Sequence, residues 1–363
     1  MGLFDGLKRN KKAPVTVSGS ETVASAQQSD SEVELEDAQL ADYEPEELSS
    51  EAVSGQQEGE YDVVSEPEPE PEEPQHAEAS SSDGSLNPAS RVIKPYSEKS
   101  KVDHVIGQTK IMSIINQKGG VGKSTTAINL SAILGTMKKQ VLLVDLDPQG
   151  NATSGLGIDK RALDACVYDV LLNGVPVEDV IIPDVTEGLD VVPATINLAG
   201  AEVELVSEFA RENRLKDSLG SLRGKYDYII IDCPPSLGLL TINGLVAADS
   251  LLIPIQSEFY ALEGVTKLLD SMKLVKSRLN PSLEIYGVLI TMYDARTTLS
   301  KQVSEEVRNY FGKKVFDTPI PRTVKLSEAP SYGMPINEYD PSGKGAQAYR
   351  AVAKEVIERG KNS

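Results

Sequence analysis

Residues 110–125, KIMSIINQKGGVGKST, join a short apolar run to a glycine-rich segment ending in Gly-Lys-Ser. A helix-length stretch, 123–136, follows directly. Strand, glycine loop and helix in that order belong to sheets whose strands are buried on both faces, because crossover helices cover them. The same alternation continues down the chain. QVLLVD (140–145), LDVVPA (189–194), YDYIIID (226–232), SLLIPI (250–255) and IYGVLIT (285–291) join KIMSII (110–115) as predicted strands, with 199–219, 260–279 and 299–312 as further helices. Such alternation predicts one doubly wound α/β domain over 105–363 with a mainly parallel sheet, and no internal repeat or second folded domain.

The first hundred residues have a different chemistry. They carry 23 Asp/Glu against 7 Lys/Arg, a net of −16 within the chain's −19, whereas residues 101–363 hold 32 against 29. From Ala13 to Ser90 there is no Lys or Arg, and SEPEPEPEEP (65–74) alternates proline with glutamate. Few apolar groups and strong self-repulsion leave such a segment unable to offset its ordering entropy, so 1–104 is expected to be a disordered acidic extension and linker. The acidity therefore says little about the partners of the folded part. Either a solvated tail or an acidic arm competing with nucleic acid for a basic face suits this composition.

Within MGLFDGLKRNKK, Leu3, Phe4 and Leu7 can share one helical face ahead of Lys8, Arg9, Lys11 and Lys12. Residues 1–12 are thus a candidate for membrane contact, against the plainer reading of a frayed start. The segment lacks the apolar core of a secretory signal, and Gly6 stands where a myristoylation pattern needs Ser or Thr. No run reaches the roughly 18 apolar residues of a spanning helix. Cys166 and Cys233 are spaced neither as a disulfide framework nor as a metal pair, which suits a cytoplasmic protein.

The glycine loop matches the second half of the phosphate-loop pattern G-x-x-x-x-G-K-[ST] through Gly122, Lys123 and Ser124, but Gln117 replaces its first glycine and Lys118 adds a second cation. Gly119, Gly120 and Gly122 allow backbone N–H groups to approach phosphate oxygens, and the following helix turns its positive end toward them. In that pattern Lys123 reaches the β- and γ-phosphates and the Ser124 hydroxyl faces Mg²⁺. Two strands end in acids: VLLVDLDPQGN supplies Asp145 and Asp147, and YIIIDCPPS supplies Asp232. Strand-terminal aspartates often cap the next helix. At the carboxyl end of a parallel sheet, beside a phosphate loop, they also suit Mg²⁺ binding and the orientation of water.

KGGVGKST resembles the deviant Walker A loop of the ParA/MinD group. DLDPQGNATSGLG (145–157), PATINLAGAEVEL (193–205), DCPPSLGLLTIN (232–243), IPIQSEFYALEG (253–264), TMYDARTTLS (291–300) and IPRTVKLSEAPSYGMPI (320–336) are similar to ParA proteins of the Soj type. The similarity spans about 110–360 and leaves the acidic extension outside. It implies the deviant P-loop NTPase fold, Mg²⁺-dependent ATP hydrolysis and an ATP-dependent homodimer. Lys118 then matches the lysine that crosses to the partner's phosphates, and Lys123 the ordinary loop lysine. Val121 and Thr125 fall inside the nucleotide-binding run. Asp147 matches the catalytic carboxylate, with Asp145, the neighbouring acid, and Lys118 completing the expected catalytic set; Asp232 matches the Walker B position, while Pro321 and Arg322 lie in the segment that walls the adenine. Arg296 and Lys325 match residues that bind double-stranded DNA without sequence preference, and lysine stands at 325 where many relatives carry arginine. A ParB-type partner that stimulates hydrolysis and a nucleoid location complete the expectation.

Three other readings compete. A MinD-like membrane-cycling ATPase needs a basic amphipathic C-terminal helix, whereas AYRAVAKEVIERGKNS reads as a core helix with a polar stop. An iron-protein-like reductase needs cluster-ligating thiolates, which the contexts of Cys166 and Cys233 do not supply. A structural adaptor without catalysis conflicts with Lys118, Lys123, Asp147 and Asp232 together.

Overall fold

The computed structural model describes residues 107–258 and 263–361, the side chains at 263 and 264 excepted. The expectations for the acidic extension and for membrane contact by residues 1–12 lie outside the described residues. Seven strands form one sheet: β1 (Lys110–Ile114), β2 (Val141–Asp145), β3 (Ile182–Thr186), β4 (Leu189–Val192), β5 (Tyr228–Asp232), β6 (Ser250–Gln256) and β7 (Glu284–Thr291). Their order is β3-β4-β2-β5-β1-β6-β7, parallel throughout except for the β3–β4 pair. The twelve α-helices among the described residues are α1 (Lys123–Thr136), α2 (Asn151–Gly155), α3 (Val167–Leu172), α4 (Val177–Val180), α5 (Leu198–Glu204), α6 (Arg214–Gly220), α7 (Leu239–Ala247), α8 (Glu263–Arg278), α9 (Thr298–Phe311), α10 (Val324–Glu328), α11 (Ile336–Tyr339) and α12 (Lys344–Lys361).

Successive strand residues point to opposite faces, so each central strand feeds two cores. Met112, Ile114, Val141, Leu143, Ile230 and Leu252 pack in one cluster with α1 and α12. Helix α1 is buried on nearly every side, from Thr126 to Gly135, because α12 lies over it with Tyr349, Val352, Ala353 and Val356. The Tyr349 and Thr126 hydroxyls meet at 3.1 Å in this interior. On the opposite face of β1, Ser113 donates to the Gly244 carbonyl of α7 at 2.8 Å, satisfying a hydroxyl inside the sheet. The final helix is thus a core element, as its sequence suggested.

Two elements differ from the sequence reading. Strand β3 is an additional antiparallel edge; Pro183 and Asp184, the latter at φ 54°, interrupt the apolar run that marks the other strands. The single helix expected over 199–219 is broken into α5, a 3₁₀ turn at Leu205–Ser207, and α6. Leu198, Ala201 and Leu205 form the inward stripe of the first piece, and Leu215 and Leu219 that of the second. Glu208 and Glu212 occupy the positions that would continue the stripe, and the chain turns there through Ala210 at φ 49°. The Asn243 side chain stabilises the break, donating to Arg211 O at 2.8 Å and accepting from Leu215 N at 3.1 Å.

The β3–β4 turn lies directly on α1. A Cβ on Gly135 would collide with the backbone of Glu187 and Gly188, so only glycine allows the helix to sit this close. Gly135→Ala is expected to lower unfolding free energy by about 1–3 kcal/mol, as overpacking does. Gly220→Ala, where an added Cβ meets nothing, should fall within about 0.5 kcal/mol of the parent. Urea denaturation of both variants measures the difference.

Candidate nucleotide site

The site forms where three strand ends meet. Asp232 of β5 is in register with Ile114 of β1 on one side and Asp145 of β2 on the other. The loop after β1 is held from beneath. Asn116 donates to Pro254 O at 2.7 Å and accepts from Lys118 N at 3.0 Å, and Thr291 donates to Val121 O at 2.8 Å. Thus β6 and β7 brace the loop before any ligand arrives. Gly120 and Gly122 take φ of 74° and 91°, the left-handed region that a side chain disfavours.

Lys123 is buried, and its ammonium donates to Lys118 O at 3.3 Å. Burial lowers its pKa, while Asp232 and then Asp147 oppose that fall. Asp232 is fully buried, and neither of its carboxylate oxygens has a hydrogen-bond partner of ordinary geometry, although the Ser124 hydroxyl moderates its charge. Desolvation, followed by the neighbouring Asp145, pushes the Asp232 pKa well above the carboxylate range. A buried orphan carboxylate beside a helix-N-terminal hydroxyl and a second acid is a hard-oxygen donor set, which fits Mg²⁺. Ser124, Asp147 and Asp232 are the residues available to hold it.

Asp145 has a different environment. It accepts from Thr153 N at 2.8 Å, Thr153 Oγ1 at 2.6 Å and Asp147 N at 3.2 Å. Burial outweighs these bonds and raises its pKa to about 6. Thr153 Oγ1 in turn accepts from Ala194 N at 2.9 Å, so Asp145 ties β2, α2 and the end of β4 together. In this structure it braces the loop that carries Asp147. Gln149 N donates to Asp147 Oδ1 at 2.9 Å, and Lys160 Nζ donates to Gln149 O at 2.8 Å.

Two cavities flank the loop. One, of about 530 Å³, is lined by Gly119, Gly120, Gly122, Lys123, Ser124 and Thr125, with Asp147 across from them. Met292, Pro235 and Pro330 add apolar surface to it. The other, of about 510 Å³, is lined by Lys118, Arg322, Asp294 and Ser257, and shares Met292 with the first. The two lysines therefore face different spaces. Arg322 lies with Lys118, whereas Pro321 pairs with Tyr293 and lines neither cavity. Val121 is buried against Thr291 and lies beneath the loop.

Arg296 and Lys325 sit on neighbouring segments, since Tyr293 N donates to Ile320 O and Arg322 N to Tyr293 O. Each is exposed and already has an acidic partner. Arg296 meets Asp294 at 2.7 Å, and Lys325 meets Glu328 at 2.9 Å while lying 5.3 Å from the Tyr339 ring centre. Exposed pairs of this kind are weak and salt-screened, so a phosphate can compete for the cations. Both cysteines are buried, with Cys233 packed against Gly244 and its thiol pushed up to about 12, burial first. Among the described residues no helix is long and apolar enough to cross a membrane.

A profile of an AAA domain matches residues 109–285. The sporulation initiation inhibitor protein Soj of Bacillus subtilis is 59% identical over 251 residues, 69% of this chain and 99% of that protein. The chain belongs to the Soj/ParA family of chromosome-partitioning proteins. The ParA of Myxococcus xanthus is 54% identical over 250 residues, again 69% of this chain and 88% of that protein. A cobyrinic acid a,c-diamide synthase from Mycobacterium smegmatis, solved with ADP and magnesium, superposes with a TM-score of 0.62 at 41% identity, covering 70% of this chain and 96% of that one. The deviant P-loop fold expected from KGGVGKST is the fold found.

Pro235, Met292 and Pro330 were not singled out as lining residues from the sequence. Each lies within a family-like run (DCPPS, TMYD, SEAPS), but only the fold brings the three runs to one cavity.

The two raised carboxyls set a pH dependence. Each binds its proton more tightly when folded, so its contribution to stability is greatest below the unfolded value near 4 and is lost as pH rises; for Asp145 the loss runs up to about 6. Asp232→Asn should therefore flatten the fall in unfolding free energy above pH 4. It should abolish the stabilisation conferred by Mg-ADP. Chemical denaturation across pH 4.5–8, with and without Mg-ADP, reads both effects.

Proposed function

We propose that the protein is a Mg²⁺-dependent ATPase that segregates DNA by cycling between a nucleotide-bound dimer on DNA and a released form. The observation that carries this reading is the burial of both Lys123 and an unpartnered Asp232 carboxylate under the glycine loop, with Lys118 facing a separate cavity. Backbone amides of 119–124 would bind the phosphates, supported by the positive end of α1. Lys123 would supply a cation from its own subunit and Lys118 one to the partner's nucleotide. Bound at Ser124, Asp147 and Asp232, Mg²⁺ would neutralise phosphate charge. Asp147, held by Gln149 N–H, would orient the attacking water. Asp145 keeps that loop in place and does not itself need to touch substrate. Pro321 and Arg322 are kept as the proposed adenine wall on the family resemblance, Arg322 lining the Lys118 cavity and Pro321 neither cavity. The M. smegmatis structure, with ADP and magnesium on a closely similar fold, supports the choice of ligands.

The folded domain is assigned to 105–363, with 1–104 as an acidic extension outside it. Arg296 and Lys325 are the proposed phosphate contacts on nucleoid DNA, and a ParB-type protein the proposed activator, a role favoured by the ParA and Soj relatives. If each subunit of a dimer offers both cations, four phosphates are neutralised, and log affinity falls by about 0.9 per phosphate with log salt. Fluorescence anisotropy on an arbitrary duplex at two salt concentrations should show binding with ATP and none with ADP. The double variant Arg296→Glu, Lys325→Glu should lose that binding yet still dimerise with ATP. Undiminished binding by the double variant would remove these residues from the DNA site.

A further inference from the structure

Helix α7 starts seven residues beyond Asp232, after the loop 233–238, and this loop contributes Pro235 to the nucleotide cavity. Its N-cap is Gly238, in extended backbone with no side chain to accept from the first turn. The acceptor comes from another helix. Glu202 of α5 takes Leu239 N at 2.8 Å and Leu240 N at 3.4 Å, one with each carboxylate oxygen. A Cβ on Gly238 would occupy the position of the Glu202 carboxylate, so the glycine is what admits this cap from outside. Thr241 donates to Ser236 O at 2.6 Å and folds the same loop back on the helix.

Helix α5 is itself lightly anchored. It buries Leu198 and Ala201, followed by Leu205, while Ile196, Val203, Val206 and Phe209 around it are exposed. A carboxylate on a thinly buried helix thus fixes the start of a buried one. The stretch between that start and Asp232 is the nucleotide-facing loop.

We propose that Glu202 is a positioning residue for nucleotide turnover: its cap on α7 holds the 233–238 loop, and with it Pro235 and the end of β5, in place beside the bound nucleotide. This rests on the ATPase reading given above. Glu202 lies outside both cavities and touches no group assigned to chemistry, so its removal should alter the rate and leave nucleotide affinity in place.

The test uses the full chain with Glu202→Ala and Glu202→Gln, since the glutamine carbonyl can still accept one of the two amides. Amide hydrogen exchange at Leu239 and Leu240 should speed up about fivefold in Glu202→Ala, the effect of losing a helix N-cap. ATP turnover should fall on the order of tenfold, less than the ~10²-fold that displacement of a reacting group costs. The affinity for a fluorescent ADP analogue should change less than about twofold. Glu202→Gln should recover most of both the exchange protection and the rate. Unchanged exchange at Leu239 and Leu240 overturns the cap, and faster exchange with an unchanged rate overturns the positioning role. A loss of rate matched by an equal loss of nucleotide affinity or of global stability overturns it too. If the parent protein hydrolyses no ATP, the ATPase reading fails by itself, and exchange with and without ATP still decides whether Glu202 holds the loop.

Discussion

The electrostatic interaction on which the rest depends is that of buried Lys123 with Asp232 and Asp147 at the carboxyl ends of β2, β5 and β1. Burying one cation and several carboxyls is costly unless they compensate each other. Here the compensation is partial, since among the described residues Lys123 bonds to a backbone carbonyl and Asp232 accepts nothing in ordinary geometry. Much of the sheet serves to hold this imbalance. β6 and β7 brace the loop through Pro254 and Thr291, Asp145 ties the β2 loop to Thr153, and α12 holds α1 in place from behind. A phosphate–cation pair is the ligand chemistry that relieves it.

Parallel strands with helices on both faces explain why these groups share one end of the sheet. β1 lies between β5 and β6, and the chain leaves it through α1 to reach β2 on the far side of β5, which opens a crevice at the carboxyl edge. The same end carries the segments after β7, with Arg296, Arg322 and Lys325. The phosphate loop and the segments after β7 are therefore joined by short contacts, through Met292 shared between the cavities and the Thr291 hydroxyl bonded to Val121 O.

Much of this was legible in the sequence, and the reasons are physical. Doubly buried strands advertise themselves as apolar runs, and the glycine loop has few alternative uses between a strand and a helix. The β3 edge was hidden because edge strands tolerate proline and turns, and Pro183 and Asp184 disguise it. The break between α5 and α6 was hidden because it depends on Asn243, more than two dozen residues away, accepting and donating at the turn. The separation of Lys118 from Lys123 into two cavities, and the bracing role of Asp145, required three-dimensional placement. So did the ion pairs on Arg296 and Lys325. Family-like motifs pointed to these residues without showing what each touches.

In the proposed cycle the two lysines divide the work, Lys123 within its own site and Lys118 across a dimer. Sedimentation equilibrium with Mg-ATP tests it most directly, with nucleotide binding measured on the same samples. Lys123→Ala should lose nucleotide binding, and dimerisation with it. Lys118→Ala should keep measurable nucleotide binding but remain monomeric at concentrations where the parent dimerises. A Lys118→Ala dimer as tight as that of the parent would remove Lys118 from the cross-subunit role.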